Sequence, residues 1–325
     1  MKLLADIRIA PHESPLAYGD KMLLLGSCFT SNIGQLLAQH KFAVLHNPSG
    51  ILFDPLSVSR HLHDYMTGRT YTEKDLFAHG ELFHSWQHHS DFSSMHAADV
   101  AAKISEATNR ARDFLREARF LVITLGTAFS YRLKNTGQAV ANCHKVPATE
   151  FHKHLCDAGE ITNLLDEVLA ALKAFNPALQ VIFTISPVRH LRDGMIENNR
   201  SKAQLIEAVH RLCEKQDHLY YFPAYELVID VLRDYRWFDI DLAHPNYAAT
   251  EFVFEKFCEA CISAGSRRFM EDVKQVTIAR RHRPQFPETA AHRQFLEKNR
   301  EKVLALSMSL PGIDWSDEMT YFSGK

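Results

Sequence analysis

Short, continuously apolar runs alternate along this chain with longer stretches in which apolar positions recur every three or four residues. Lys21–Leu25 reads as a buried strand, Ser31–His40 as an amphipathic helix and Phe42–Leu45 as a second short strand, a βαβ pattern. A long helix is expected at about 98–117, and Phe120–Leu125 follows as a strand ending in Gly126-Thr127. The 161–175 stretch is helical in period and is stopped by Asn176-Pro177. Val181–Ile185 is the next buried strand, then come a helix at 201–215 with Ser201 as its cap, a strand at 219–222 and a helix at 248–264. Strands that are apolar on both faces need cover on both faces, so the pattern predicts an α/β fold, a three-layer α/β/α sandwich around a parallel sheet.

Two regions depart from the alternation. The polar, aromatic and histidine-rich segment from 54 to about 97 is expected to form a lid-like insertion at the rim. From 266 the chain turns basic, carries Pro284 and Pro287 and ends in a helical stretch at about 288–306. The domain reading is a body at 1–265 and a C-terminal helical extension at 266–325 that packs on the body or serves an oligomer contact.

Composition narrows the class. Of 325 residues, 46% are apolar and 23% charged, which predicts a substantial core and excludes a disordered chain. A formal net charge of −2 offers no basic field for nucleic acid, and no polybasic run addresses a membrane surface. Met1–Arg8 lacks a long apolar stretch and no run of about 20 apolar residues is present, so neither a signal peptide nor a membrane span is expected. The six cysteines show no CxxC…CxxC zinc spacing, only one CxxC-like pair at Cys258 and Cys261 on an expected helix, and are expected to be reduced, mostly buried thiols of a cytoplasmic protein.

Candidate chemistry begins where the first strand runs into Gly26-Ser27-Cys28 and opens a helix. A serine there lies at the carboxyl edge of the sheet, where α/β enzymes hold a nucleophile. Downstream, Asp241-Leu242-Ala243-His244 carries an acid and an imidazole three residues apart, a spacing that lets one loop orient the base; Asp239 competes for the orienting role. Taken singly, Ser27 would more often be an N-cap and His244 a turn residue. Cys28 is the rival nucleophile, since a thiol is intrinsically stronger and a helix N-terminus lowers its pKa. It is expected to turn into the fold and stay inert. His79, His84, His88, His89 and His96 invite a metal reading, but no HExxH or helical H-x₃-H pattern joins them, and no metal is expected. Trp86, His88 and His89 are expected to line a substrate mouth, and Arg189 or His190, just beyond a strand end, to hold a charged or hydroxylated substrate.

The ordered set Gly26-Ser27-Cys28-Phe29, Asn47-Pro48-Ser49-Gly50, Leu125-Gly126-Thr127-Ala128, Ala141-Asn142-Cys143-His144-Lys145, Ser186-Pro187-Val188-Arg189-His190 and Asp241-Leu242-Ala243-His244-Pro245 resembles the GSCFA family, a branch of the SGNH (GDSL-like) hydrolases. The resemblance covers roughly residues 23–257. It implies a flavodoxin-like sandwich, a serine esterase or O-acyltransferase without cofactor, and a triad of Ser27, His244 and Asp241. A carbohydrate-like O-acyl, probably acetyl, ester is the substrate class that analogy suggests. Oxyanion donors would be the Ser27 N–H, Gly50 in the position of the second-block glycine, and Asn142 in place of the third-block asparagine, because that block here reads Gly126-Thr127-Ala128. The missing asparagine motivates the alternative of a non-catalytic ligand-binding or scaffold module.

Overall fold

A computed structural model describes residues 5–324, so the first four residues of the N-terminal reading lie outside it. From the N-terminal side, β1 (Lys21–Gly26) leads into α1 (Cys28–Gln39), β2 (Ala43–His46) and α2 (Pro55–Thr67). A hairpin of β3 (Phe77–His79) and β4 (Leu82–His84) precedes α3 (Ala97–Glu117) and β5 (Phe120–Leu125). Next come β6 (Phe129–Leu133), β7 (Ala139–Val140), β8 (Phe151–Leu155), α4 (Ala158–Phe175), β9 (Gln180–Ile185), α5 (Gly194–Cys213) and β10 (Leu219–Tyr221). The short α6 (Ala224–Glu226) precedes α7 (Tyr247–Cys261), α8 (Ala264–Arg280), α9 (Ala290–Ser309) and α10 (Ser316–Phe322).

The central sheet is parallel throughout, in the order β2-β1-β5-β9-β10. Numbered within the sheet this is 2-1-3-4-5, the flavodoxin order, and its direction reverses between β1 and β5. Register places Gly26 beside Thr124 and Leu125 beside Ile185, so β1, β5 and β9 end on one edge at that reversal.

Alternate residues of each strand serve opposite layers. Leu23, Leu25, Leu121, Ile123, Val181 and Phe183 pack under α2, α3, α4 and α5, whereas Met22, Leu24, Phe120, Val122 and Ile182 pack under α1 and α7. Every residue of β5 is buried, which is why that strand reads as an unbroken apolar run. Burying each such large apolar side chain contributes ~1.5–3 kcal/mol, so the three layers are held by the faces that the sequence pattern marks.

Three expectations change. The segment from 54 opens not with a lid but with a core helix: Asp54 caps α2 by accepting from the Ser57 N–H at 3.0 Å, and Val58, Leu62 and Tyr65 join the core. The excursion narrows to 69–96, and a second one forms the antiparallel sheet β7-β6-β8. Helix α5 begins at Gly194 rather than at 201, because its first inward positions are polar: Asn198, Ser201 and Lys202 precede Leu205 on the buried stripe. Ser201 is therefore no cap; its Oγ accepts from the Ala128 N–H at 2.7 Å and pairs with Thr127 Oγ1 at 3.0 Å.

Helix α8 crosses the expected boundary at 265/266. Its Met270 packs with the body, while Val273 and Val276 join Val303, Leu306, Trp315 and Phe322 in a separate apolar cluster of the extension. All six cysteines are free thiols, Cys258 and Cys261 buried and the other four partly exposed. Among the described residues no helix is long and apolar enough to cross a membrane.

Candidate active site

The turn after β1 is shaped by a glycine. Gly26 has φ +137°, and a Cβ there would stand 2.1 Å from the Thr124 carbonyl oxygen of β5. Asn47 clamps the turn: its Oδ1 accepts from the Gly26 N–H at 2.9 Å and its Nδ2 donates to Ser31 Oγ at 2.9 Å. Ser27 takes the N-cap position with extended backbone, but its hydroxyl caps nothing. It is 0% exposed, and its Oγ is buried without a hydrogen-bond partner. Cys28, the first residue of α1, is partly exposed at the rim of the apolar cluster that holds Val188 and Phe238. Of the two expected candidates, Ser27 is thus the enclosed one, and Cys28 packs on the core while remaining partly exposed. The backbone N–H groups of Phe29 and Cys28 turn toward the sulfur; burial raises the thiol pKa, those N–H groups and the Lys202 charge oppose the rise, and the Asp241 charge adds to it.

The acid and imidazole form a closed local unit. Asp241 Oδ1 accepts from the N–H groups of Ala243 (2.9 Å) and His244 (3.0 Å), and Oδ2 accepts from His244 Nδ1 at 2.6 Å. Those backbone bonds, followed by the imidazole, hold the Asp241 carboxyl at about 2. With Nδ1–H engaged by the carboxylate, Nε2 carries the lone pair that a base needs. Asp239 is not the orienting acid; what that residue gives the pair is its backbone N–H, donated to the His244 carbonyl at 2.8 Å. The loop docks on the segment after β9, where the Arg189 N–H donates to the Ala243 carbonyl at 3.1 Å and the guanidinium lies 4.3 Å from the Phe238 ring centroid. Arg189 is therefore a support of this loop rather than the free substrate cation expected of it.

Beneath the strand ends lies Lys202, 1% exposed. Its Nζ donates to the carbonyls of Gly126 and Ser186, both at 2.6 Å, joining the ends of β5 and β9. Burial brings its pKa down to about 7. Burial and then the Lys202 charge hold His190 at about 4, with His244 adding to the effect. His190 is thus neutral near pH 7. Its backbone N–H donates to Asn198 Oδ1 at 3.0 Å, and its buried, unpartnered Nε2 stands 3.2 Å from where a Gly126 Cβ would sit.

The expected backbone oxyanion donors are engaged elsewhere. The N–H of Ser27 donates to the Thr124 carbonyl at 3.2 Å, that of Gly50 to Asn47 at 2.8 Å, and those of Gly126 and Thr127 to Phe53 at 2.7 and 3.0 Å. Asn142 Oδ1 accepts from the His144 N–H at 2.9 Å, closing its own turn through its carboxamide oxygen and not through its Nδ2 donor. In the expected mouth, His88 is 1% exposed among His61, Tyr71 and Phe92, held in a turn where its N–H donates to the Ser85 carbonyl at 3.2 Å. His89 lies against Gly50 and is paired with Asp91 at 3.0 Å. Trp86 stacks on Phe77 at 3.5 Å and meets Phe151 edge-on, which makes it part of the small apolar core of the excursions. Among the described residues, the group spaced to hold a metal is His154, Cys156 and Glu160, outside the histidine run, and Glu160 is already engaged there as the partner of Asp157 in a capping box.

The Gly26-Ser27-Cys28 elbow and a buried lysine lie at the carboxyl edge of a flavodoxin-order sheet, and an oriented acid–imidazole pair sits on the loop docked after β9, which defines an α/β/α sandwich protein with its candidate site at the topological reversal. The chain belongs to the GSCFA family, whose model matches residues 21–257, and the model of the GSCFA domain protein, C-terminal domain, matches residues 273–325. Among solved structures, an acetyl xylan esterase from the rumen bacterium Butyrivibrio proteoclasticus is similar at TM-score 0.40 and 11% identity, over 76% of this chain and 64% of that one, a likeness too slight to carry argument. No curated protein matched the chain.

Sequence reasoning placed Lys202 in the polar stretch beyond a strand end without singling it out, and did not foresee the clamp that Asn47 forms on Gly26. The signal for Lys202 was present: it lies three residues before Leu205 on a stripe continued by Ala208, Val209 and Leu212, so a lysine occupied a core-facing position. Asn47 has φ +42° just after β2, a left-handed conformation that asparagine tolerates, and that is what turns its carboxamide back onto Gly26.

Proposed function

We propose that this chain hydrolyses or transfers an acyl group carried as an ester, using His244 as general base, Asp241 as its orienting acid and an attacking atom from the Gly26-Ser27-Cys28 elbow. The observation that carries this reading is the 2.6 Å Asp241–His244 bond, which fixes the tautomer and leaves Nε2 available on a loop docked at the strand ends. The base removes the nucleophile's proton as it attacks the ester carbonyl. A tetrahedral oxyanion forms, and the N–H groups opening α1 are the donors nearest the elbow. His244 then gives its proton to the leaving alcohol, and water or a hydroxyl acceptor completes the cycle. No cofactor enters this scheme. The family resemblance favours a carbohydrate-like O-acetyl ester as substrate.

The engaged state of the expected backbone oxyanion donors favours a second reading, a binding or scaffold module on the same fold. Hydrolysis of p-nitrophenyl acetate separates the two. Under the enzyme reading, His244→Ala lowers the rate by ~10²- to 10⁴-fold with the thermal midpoint unchanged. A folded wild-type protein without turnover on aryl or sugar acetates supports the binder.

A further inference from the structure

We propose that the attacking atom is the sulfur of Cys28, so that the acyl group passes through a thioester, while Ser27 is a structural N-cap residue. This rests on the reading of Asp241–His244 as an acyl-transfer pair. Ser27 is wholly enclosed and its hydroxyl has no partner, whereas the next residue reaches the surface of the same turn. Ser27 holds the N-cap position of α1, and Cys28 is its first helical residue. The N–H groups of Cys28 and Phe29 converge on the sulfur, and the positive end of α1 favours a developing thiolate there. The charged groups whose fields reach the sulfur are Lys202 and Asp241, and His190 feels both Lys202 and His244. Because burial disfavours the thiolate, the sulfur stays protonated until a base takes the proton, which gives His244 a necessary part.

In balanced form, the Cys28 S–H proton moves to His244 Nε2 as the S–C bond forms at the ester carbonyl. The tetrahedral intermediate collapses with cleavage of the C–O bond, and the leaving alkoxide takes the proton from His244. A water or acceptor hydroxyl then gives its proton to His244 and attacks the thioester. The C–S bond breaks, and the thiolate is reprotonated.

The experiment has two arms on the full chain. A short pulse of p-nitrophenyl acetate, acid quench and peptide mass analysis should find one acetyl group on the peptide holding residues 27 and 28, removed by neutral hydroxylamine as a thioester is. The acetyl should persist in Ser27→Ala, vanish in Cys28→Ala and become resistant to hydroxylamine in Cys28→Ser, with circular dichroism confirming that each variant folds. An acetyl that resists hydroxylamine in wild type, or that survives Cys28→Ala, overturns the proposal and leaves the esterase reading standing. The second arm needs no ester turnover. Iodoacetamide should modify Cys28 faster than the other cysteines, by about tenfold, and His244→Ala should remove that advantage. Equal labelling of all thiols, or labelling indifferent to His244, overturns the assignment of Cys28; failure of every ester with His244-dependent labelling intact removes the esterase reading alone.

Discussion

The two halves of the candidate site are built by opposite means. The elbow and its floor are buried and tied to the sheet: Gly26 under Thr124, Asn47 on Gly26, and Lys202 between Gly126 and Ser186. The Asp241–His244 loop is about half exposed, with side chains at 46% and 47%, and is organised by bonds within four residues of chain. The elbow side therefore inherits its position from the core. The base side owes its geometry to a turn and to Arg189, so it can shift at small cost, as loops that admit substrate and release product must.

If this contrast is right, damage to the first half should read out as stability and damage to the second as rate. The largest effect is expected from Gly26→Ala. The strained φ and the backbone overlap at Thr124 together cost ~3 kcal/mol or more, seen as a lower urea midpoint with unchanged slope. Asp241→Asn should leave the midpoint in place and lower ester turnover by ~100-fold, because the carboxamide no longer enforces the tautomer. Since the Asp241 carboxyl sits at about 2, the wild-type rate should show no titration of that group between pH 4 and pH 8.

Lys202→Met gives the smallest and most diagnostic change. Folding lowers this amine from 10.5 to about 7, so above pH 7 the unfolded chain binds more protons than the native one. Stability should then rise with pH between about 7 and 10, by at most ~1.4 kcal/mol per unit from this group, and the full penalty of burying the charged amine is present below 7. Comparing wild type with Lys202→Met by denaturation at pH 7 and 8.5 isolates that slope. A slope unchanged by the substitution would show that the lysine is not held neutral by the fold.

Where apolar pattern alone decides structure, the chain was readable. The strands β1, β5 and β9 fall within a residue of their expected limits because both faces of each are buried. The pattern misled at polar residues that face inward. Helix α5 was expected seven residues late because Asn198, Ser201 and Lys202 look like a solvated start, although each is engaged at the strand ends or buried beneath them. Helix α2 was absorbed into a lid because histidine, serine and tyrosine line its buried side. At the elbow, residue type favoured Ser27 and geometry favoured its neighbour.

Helix α8 ties the body and the tail into one piece. It lies across the gap between the two family matches, with Tyr18 donating its N–H to Ser266 Oγ at 3.0 Å and Lys274 paired to Glu251 of α7 at 3.6 Å. A truncation at residue 265 would strip the body of the apolar plug at Met270 and leave a raw surface, so a minimal fragment that folds should keep this rod through Arg280. Any ligand or partner that tilts the rod from the tail side would pull directly on α7, the helix that begins three residues after His244.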